Sequence, residues 1–333
     1  MKALLKLLTE ATGPTGKENS VREVVRSLVE PYADEISVDV MGNLIVQKGQ
    51  KANNGLRIML SAHIDEIGVI VTHVDENGFV RFASVGGVRA SSCYSTRVKF
   101  TNGTIGVIGM EPTSSVTEVQ PLHKMFIDVG ASCVGDCPVK VGDFATFLQP
   151  FVDLGNRVIA KAMDDRAGAA VLVKLLENIK ETPHELYFVF STQEEVGLRG
   201  AKTAAYKIDP DLGIALDVTL TGDAPKAATM EVSLGKGPAI KIKDSGMIAS
   251  PALVQVLCAA AQENNIPYQL EVLTGGTTDA AAIQLNNDGV AAGCVSIPCR
   301  YVHTPSEMVD IRDVENSVQL LYRVLTKPIV FEE

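Results

Sequence analysis

The 333-residue chain contains no tryptophan, and aromatic residues make up only 5% of it. Sugar-binding clefts draw stacking energy from broad aromatic platforms, so this shortage argues against a carbohydrate substrate. No apolar run approaches the roughly 18 residues that a membrane helix needs, so no membrane partner is expected. Basic residues are few, 30 against 40 acidic ones, and the formal charge is −10. With no Lys/Arg cluster to offset that balance, a nucleic-acid or anionic-lipid surface is not expected either. The six cysteines (Cys93, Cys133, Cys137, Cys258, Cys294 and Cys299) are scattered, as reduced thiols are, and do not form a disulfide framework. Cys133 and Cys137 lack the second pair or nearby histidine that a zinc clip needs. The segment from Met1 to Leu5 runs directly into an amphipathic pattern without a signal peptide's apolar stretch, which leads to the expectation of a cytoplasmic protein.

What is present is a folding composition, 46% apolar and 21% charged. The length allows two domains, or one large domain that is interrupted. Val21, Val24, Val25, Leu28 and Val29 lie at helical spacing between Ser20 and Ala33. Strand-like runs at 35–40 and 43–47 flank Met41-Gly42, and a buried strand runs from Arg57 to Ala62. From about Gly68 to Ile159 the texture becomes short β runs separated by turn signals, which predicts a small β-barrel or sandwich. Beyond Lys161, helix and strand alternate: helices over 167–179, 251–263 and 314–325, and strands over 185–191, 213–217, 268–274 and 291–297. That alternation predicts an α/β domain whose mixed sheet is covered by helices on both faces. The expected organisation is a discontinuous α/β domain, 1–67 plus 160–333, interrupted by a barrel at 68–159.

In open α/β sheets, ligands gather at the carboxyl ends of strands. Four predicted strand ends carry acids or histidines: His63 with Asp65, Glu194 with Glu195, Asp217, and His303. Asp164-Asp165 adds a fifth group at the helix after the barrel. Burying so many carboxylates is costly without cations. Two divalent metals remove that cost, because zinc-like ions take imidazole and carboxylate, and one carboxylate bridges a pair about 3.5–4 Å apart. A ligand count assigns His63 and Asp217 to the first metal, Glu195 and His303 to the second, and Asp164 as the bridge. Asp65, two residues past His63, is placed to accept the other ring N–H and fix the tautomer. Glu194 is left over, and a carboxylate beside a metal-activated water suits a general base.

Each group also has a plainer reading. A lone histidine is by default a packed core or surface residue, but His63 and His303 both have acids at ligand spacing. Asp164-Asp165 could cap the helix that starts at Arg166, a role that suits Asp165. Glu194-Glu195 could be a solvated acidic pair, although adjacent like charges before a glycine are better explained by a cation. His73, His123 and His184 lack companions and are assigned no function.

Six segments, His63-Ile64-Asp65-Glu66, Met163-Asp164-Asp165-Arg166, Gln193-Glu194-Glu195-Val196-Gly197, Ala215-Leu216-Asp217, Gly275-Gly276-Thr277-Thr278-Asp279 and Ser296 to Thr304 around His303, occur in an order and spacing that resemble the M42 family of di-metal aminopeptidases. The resemblance implies a three-layer α/β/α metallopeptidase domain with an inserted dimerisation barrel. It implies the ligand roles above, a cis Asp164–Asp165 peptide, and substrate contacts from Gly275, Gly276, Thr277 and Asp279. It also implies dimers that assemble into dodecamers. Where many members have a third glycine, this chain has Thr277, a departure that bears on side-chain preference. The expected activity is removal of N-terminal amino acids from peptides by a hydroxide shared between two metals, zinc or cobalt with manganese as a further option, with Glu194 as base. The alternatives are another di-metal amidohydrolase, such as a deacylase or dipeptidase, and a glycoside hydrolase, since some family members carry an endoglucanase label.

Overall fold

The computed structural model describes residues 1–113 and 118–331. Helix α1 (Lys2–Glu10) buries Leu5 and Leu8, and α2 (Asn19–Val29) buries Val21, Val25 and Val29 as one stripe. The periodicity predicts α2 to run on to Ala33. It stops earlier, at a single tight turn over Glu30–Tyr32, because Pro31 cannot donate the hydrogen bond that a continuing helix needs.

Strands β1 (Glu35–Val38) and β2 (Leu44–Lys48) pair antiparallel, and β3 (Arg57–His63) follows. The next six strands are β4 (Gly68–Val74), β5 (Val80–Val85), β6 (Arg97–Phe100), β7 (Ile105–Met110), β8 (Met125–Asp128) and β9 (Phe144–Phe147). They close into a barrel in the order β4-β5-β8-β7-β6-β9. Alternation drives this closure: in β6, Val98 and Phe100 face inward while Arg97 and Lys99 are exposed. Val69, Phe82, Phe100, Ile127 and Phe147 belong to a core that is the barrel's own.

The chain returns through β10 (Val152–Leu154) and β11 (Arg157–Ala160) to α3 (Met163–Asn178), β12 (Glu185–Ser191) and α4 (Arg199–Ile208). It continues through β13 (Leu212–Thr219), β14 (Ala239–Lys243), α5 (Pro251–Glu263), β15 (Gln269–Val272) and α6 (Asp279–Gln284). It ends with β16 (Ala291–Arg300), β17 (Glu307–Asp310) and α7 (Ile311–Leu325). Among the described residues the large sheet has eleven strands, ordered β1-β2-β12-β3-β13-β16-β17-β11-β10, with β14 beside β16 and β15 beyond β14.

The centre of this sheet, β12-β3-β13-β16, is parallel. It is covered on both faces, so its strands are apolar almost throughout, and every residue of β13 is buried. One core joins α1, α2, α3, α5 and α7 to the sheet through residues such as Leu8, Val25, Leu172, Leu257 and Leu321. On the other face, Ala205 of α4 and Ile283 of α6 pack against Met59 and Val189. The architecture is α/β with a mixed sheet and an inserted barrel, as expected.

The sequence extends the insert to residue 159, whereas the barrel strands end at Phe147, and β10 and β11 join the large sheet through β17. Neither is marked as a strand by the sequence pattern, and their partners appear only in the fold. Nor does periodicity mark α4, which buries mainly alanines (Ala201, Ala204 and Ala205) and so carries a faint apolar signal. Among the described residues no helix is long and apolar enough to cross a membrane.

Candidate metal centre

Because the four central strands are parallel, their carboxyl ends open on one side of the sheet. Register sets the side chains there at one height: His63 lies opposite Ser191, and Asp217 opposite Ser296. Three buried ionic groups fasten the turn after β3. The fully buried Arg166 donates through Nε to the Ile64 carbonyl (2.9 Å) and through Nη1 to the carbonyl of Ala11 (3.0 Å). Lys161 donates to Glu66 Oε2 at 2.6 Å, and Glu66 Oε1 accepts the Gly13 N–H at 2.9 Å. Since each ion has partners, this cluster locks the His63-Ile64-Asp65-Glu66 turn to α3 without leaving a buried charge alone.

Two groups of side chains converge beyond the strand ends. His63, Asp164 and Asp217 form one and Asp164, Glu195 and His303 the other, and within each the potential ligand atoms lie within 4.8 Å of one another. Asp164 belongs to both. Its Oδ1 is 3.0 Å from His63 Nε2, and its Oδ2 is 3.2 Å from His303 Nε2. Glu195 Oε2 stands 3.4 Å from His303 Nε2, and Glu194 Oε2 is 3.9 Å from His63 Nε2. The Asp164–Asp165 peptide is cis. Four non-glycine residues with left-handed backbone flank these groups: Ala162 (φ +55°), Gln193 (+55°), Tyr301 (+62°) and His303 (+61°). Such conformations cost about 1–3 kcal/mol each and concentrate where surrounding structure enforces a functional geometry.

The electrostatics are those of a site short of positive charge. Burial pushes the Asp217 carboxyl well above its ordinary range, and the Asp164 charge adds to the effect. Glu194 is raised in the same way, by burial first and then by Asp217, Asp279 and Glu195, with His63 opposing. Burial acts to lower His63, yet the carboxylates of Glu194, Asp164 and Asp65 outweigh it and raise the imidazole well above its usual value. His303 is pushed up to about 11, burial being overcome by Asp164 and Glu195. Among the carboxylates that raise the two rings, Asp164 and Glu195 are also groups that could serve bound cations.

Asp65 is placed differently from the expectation. His63 Nδ1 is 3.1 Å from the Asp65 backbone oxygen and 3.6 Å from its carboxylate. The carboxylate instead accepts the N–H of Glu194 on Oδ1 (3.0 Å), and on Oδ2 the N–H of Glu195 (3.2 Å) and the Thr15 hydroxyl (2.9 Å). It therefore positions the segment that carries both glutamates. Asp165 accepts the Gly168 N–H at 2.9 Å, a helix-capping contact.

A cavity of about 610 Å³ opens beside the two groups, lined by Asp164, Glu194, Glu195, Asp217 and His303 and also by Gly275, Gly276 and Thr277. Asp279, expected at the substrate, lies beneath that wall, its Oδ2 accepting the hydroxyls of Ser61 (2.6 Å) and Ser191 (2.5 Å). Beside the ligand groups, Glu307 is a buried acid with no role assigned from the sequence. Glu307 accepts the backbone N–H groups of Asp164 (3.0 Å) and His303 (2.8 Å), so it braces both. It sits at a strand start, where no motif flagged it. His184 is structural: Nδ1 accepts the Leu56 N–H, and Nε2 lies 2.8 Å from the Lys327 carbonyl.

The sequence model of the M42 glutamyl aminopeptidase family matches residues 42–320. A relative from Acetivibrio thermocellus is 47% identical over 97% of both chains. Among solved structures, an aminopeptidase from the archaeon Desulfurococcus kamchatkensis superposes with a TM-score of 0.93 at 41% identity, covering 98% of this chain and 94% of that one. The TET1 peptidase of Pyrococcus horikoshii, which can assemble into a tetrahedron or a large octahedral shell, superposes with a TM-score of 0.89 at 33% identity, covering 98% and 99%.

Proposed function

The chain belongs to the M42 glutamyl aminopeptidase family, a family of peptide-bond hydrolases, and from that premise we propose that it releases N-terminal amino acids from peptides with two divalent cations in its strand-end site. The observation that carries the reading is the pair of ligand groups sharing Asp164 at the wall of a cavity that also exposes Glu194. The donor set fits such cations: imidazole and carboxylate suit zinc, cobalt and manganese, and the buried acids lack the positive charge that would keep them ionised. His63, Asp164 and Asp217 would hold one cation, and Asp164, Glu195 and His303 the other. When bound, the pair supplies Lewis acidity toward the scissile carbonyl and makes water acidic near neutral pH.

The protein's own groups account for the proton traffic. Glu194 is next to the ligands and is itself in neither group, so its carboxylate is free to take the proton of the attacking water and deliver it to the leaving amine. Asp65 holds the Glu194 and Glu195 backbone in place, and Glu307 does the same for Asp164 and His303. Gly275, Gly276 and Thr277 form the wall on which the substrate's first residue rests. We further place the chain in the cytoplasm, where its six free cysteines suit a reducing compartment, and in homo-oligomers, dimers building a dodecamer, by analogy with the Pyrococcus horikoshii shells.

The test is hydrolysis of aminoacyl anilides after chelation and reconstitution with zinc, cobalt or manganese. Activity is expected to vanish with chelator, return with metal and require a free α-amine. Faster cleavage of N-acylated substrates would favour a deacylase, and cellulose hydrolysis that survives chelation would favour a glycosidase.

A further inference from the structure

We propose that the cavity beside the ligand groups selects peptides whose N-terminal side chain is apolar, with Lys241 held out of charge recognition by Glu271 and Asp244. The inference rests on the aminopeptidase reading and supplies its substrate class.

The cavity that exposes Glu194 and the ligand carboxylates is also lined by Leu198, Leu220, Met230, Val272, Leu273 and Val302. Two of these, Leu220 (41% exposed) and Val272 (58%), are large apolar side chains open to solvent. An apolar side chain laid against them would remove that surface from water together with its own.

Beyond the ligand groups and Glu194, the charged residues on the cavity wall are Arg89 and Lys241. Arg89 is exposed, so water screens its charge. Lys241 is fully buried, with Nζ 3.0 Å from Glu271 Oε1 and 3.9 Å from Asp244 Oδ2. Both acids are themselves tethered. The Thr219 hydroxyl donates to Glu271 Oε1, and Asp244 Oδ1 accepts the Thr277 hydroxyl (3.1 Å) and the N–H groups of Gly246 (2.9 Å) and Met247 (2.7 Å). One cation facing two carboxylates leaves no surplus positive charge for an acidic substrate side chain. Glu271 and Asp244 do not line the cavity, so they offer no contact to a basic one. Either charged side chain would be desolvated without a partner. Thr277 thus tethers the acid that helps neutralise Lys241.

The experiment compares kcat/KM of the metal-reconstituted full chain for Leu-, Met-, Ala-, Glu- and Lys-p-nitroanilide. Leu and Met are expected to exceed Ala, Glu and Lys by about 10-fold or more. Two variants probe the cause: the double change Glu271→Gln with Asp244→Asn removes both carboxylates from Lys241, and Met230→Lys sets a cation on the half-buried loop wall. Each is expected to raise the Glu-to-Leu ratio about 10-fold. A ratio measured on one preparation does not depend on how much of it is folded, and Met230→Lys stands in if the buried variant does not fold. Glu or Lys anilide as the fastest wild-type substrate, or unchanged ratios in the variants, would overturn the inference. Cleavage of no anilide with any metal would overturn the aminopeptidase reading, and this inference with it.

Discussion

Glu194 and Asp65 separate at the level of single atoms. Glu194 sits in the cavity wall, outside both ligand groups, so Glu194→Gln should leave metal binding intact while activity falls by about 10²-fold or more, the scale of a lost general base. Near-wild-type turnover on aminoacyl anilides would sink that assignment. Asp65 works through others, its two oxygens accepting N–H groups of consecutive residues. An amide at this position presents N–H to N–H on one side, so Asp65→Asn should weaken metal affinity as well as activity, each by about 10-fold or more, as loss of an outer contact does. Zinc titration of the metal-free variant checks this, and unchanged affinity refutes it. His63, Glu194, Glu195, Asp217 and His303 were legible because each ends or follows a predicted strand and is an unusual type for that place, and Asp164 because it opens the helix after the barrel. Glu307, Arg166, Lys161 and Glu66 were not, since a buried acid or base becomes visible only when the fold brings its partner across a hundred residues or so.

At the scale of elements, the parallel strands were the most legible part, because burial on both faces writes an uninterrupted apolar run such as that of β13. Connections were less so. The stretch between β13 and β14 forms part of the cavity wall, and Arg300 at the end of β16 ties it down, donating to Asp223 Oδ1 (2.9 Å) and Oδ2 (2.7 Å). Asp223 Oδ2 also accepts the Leu234 N–H at 3.1 Å. Burial opposes ionisation of this carboxyl, but the Arg300 guanidinium and other donors outweigh it and lower it to about 2 from 3.8. A depressed carboxylate stabilises the fold above its unfolded value and loses that contribution as pH falls through its folded value. Water screens this partly exposed pair, so its contribution is about 1 kcal/mol. Asp223→Asn should therefore cost about that much at neutral pH, and the difference from wild type should shrink as pH falls from about 4 toward 2. Denaturant melts at several pH values measure it, and a cost that does not change with pH would show that the ion pair is not its source.

At the scale of the molecule, the barrel's presence could be read from the change in texture after residue 67, but its effect on the site could not. The loop after β5 carries Gly86 and Gly87, which in sequence are only a turn signal. In the fold this loop crosses to the ligand groups. A Cβ on Gly87 would stand 2.3 Å from His303 Nδ1 and 2.7 Å from its Cε1, and one on Gly86 would stand 3.0 Å from Glu195 Oε2. The barrel thus forms the back of the Glu195–His303 group, and no side chain fits there while the ring stays in place. Gly87→Ala should displace the His303 imidazole and leave His63 and Asp217 untouched. The expected result is one cation bound as in wild type, the other about 10-fold or more weaker, and activity reduced in step. The melting temperature of the metal-free protein should move by no more than about 2 °C, since neither core is altered. Calorimetric zinc titration of both proteins separates the two steps. Equal loss at both steps would mean that the substitution disturbs the whole site, and no loss at either would mean that the ring has room to move and the barrel does not set the ligand geometry.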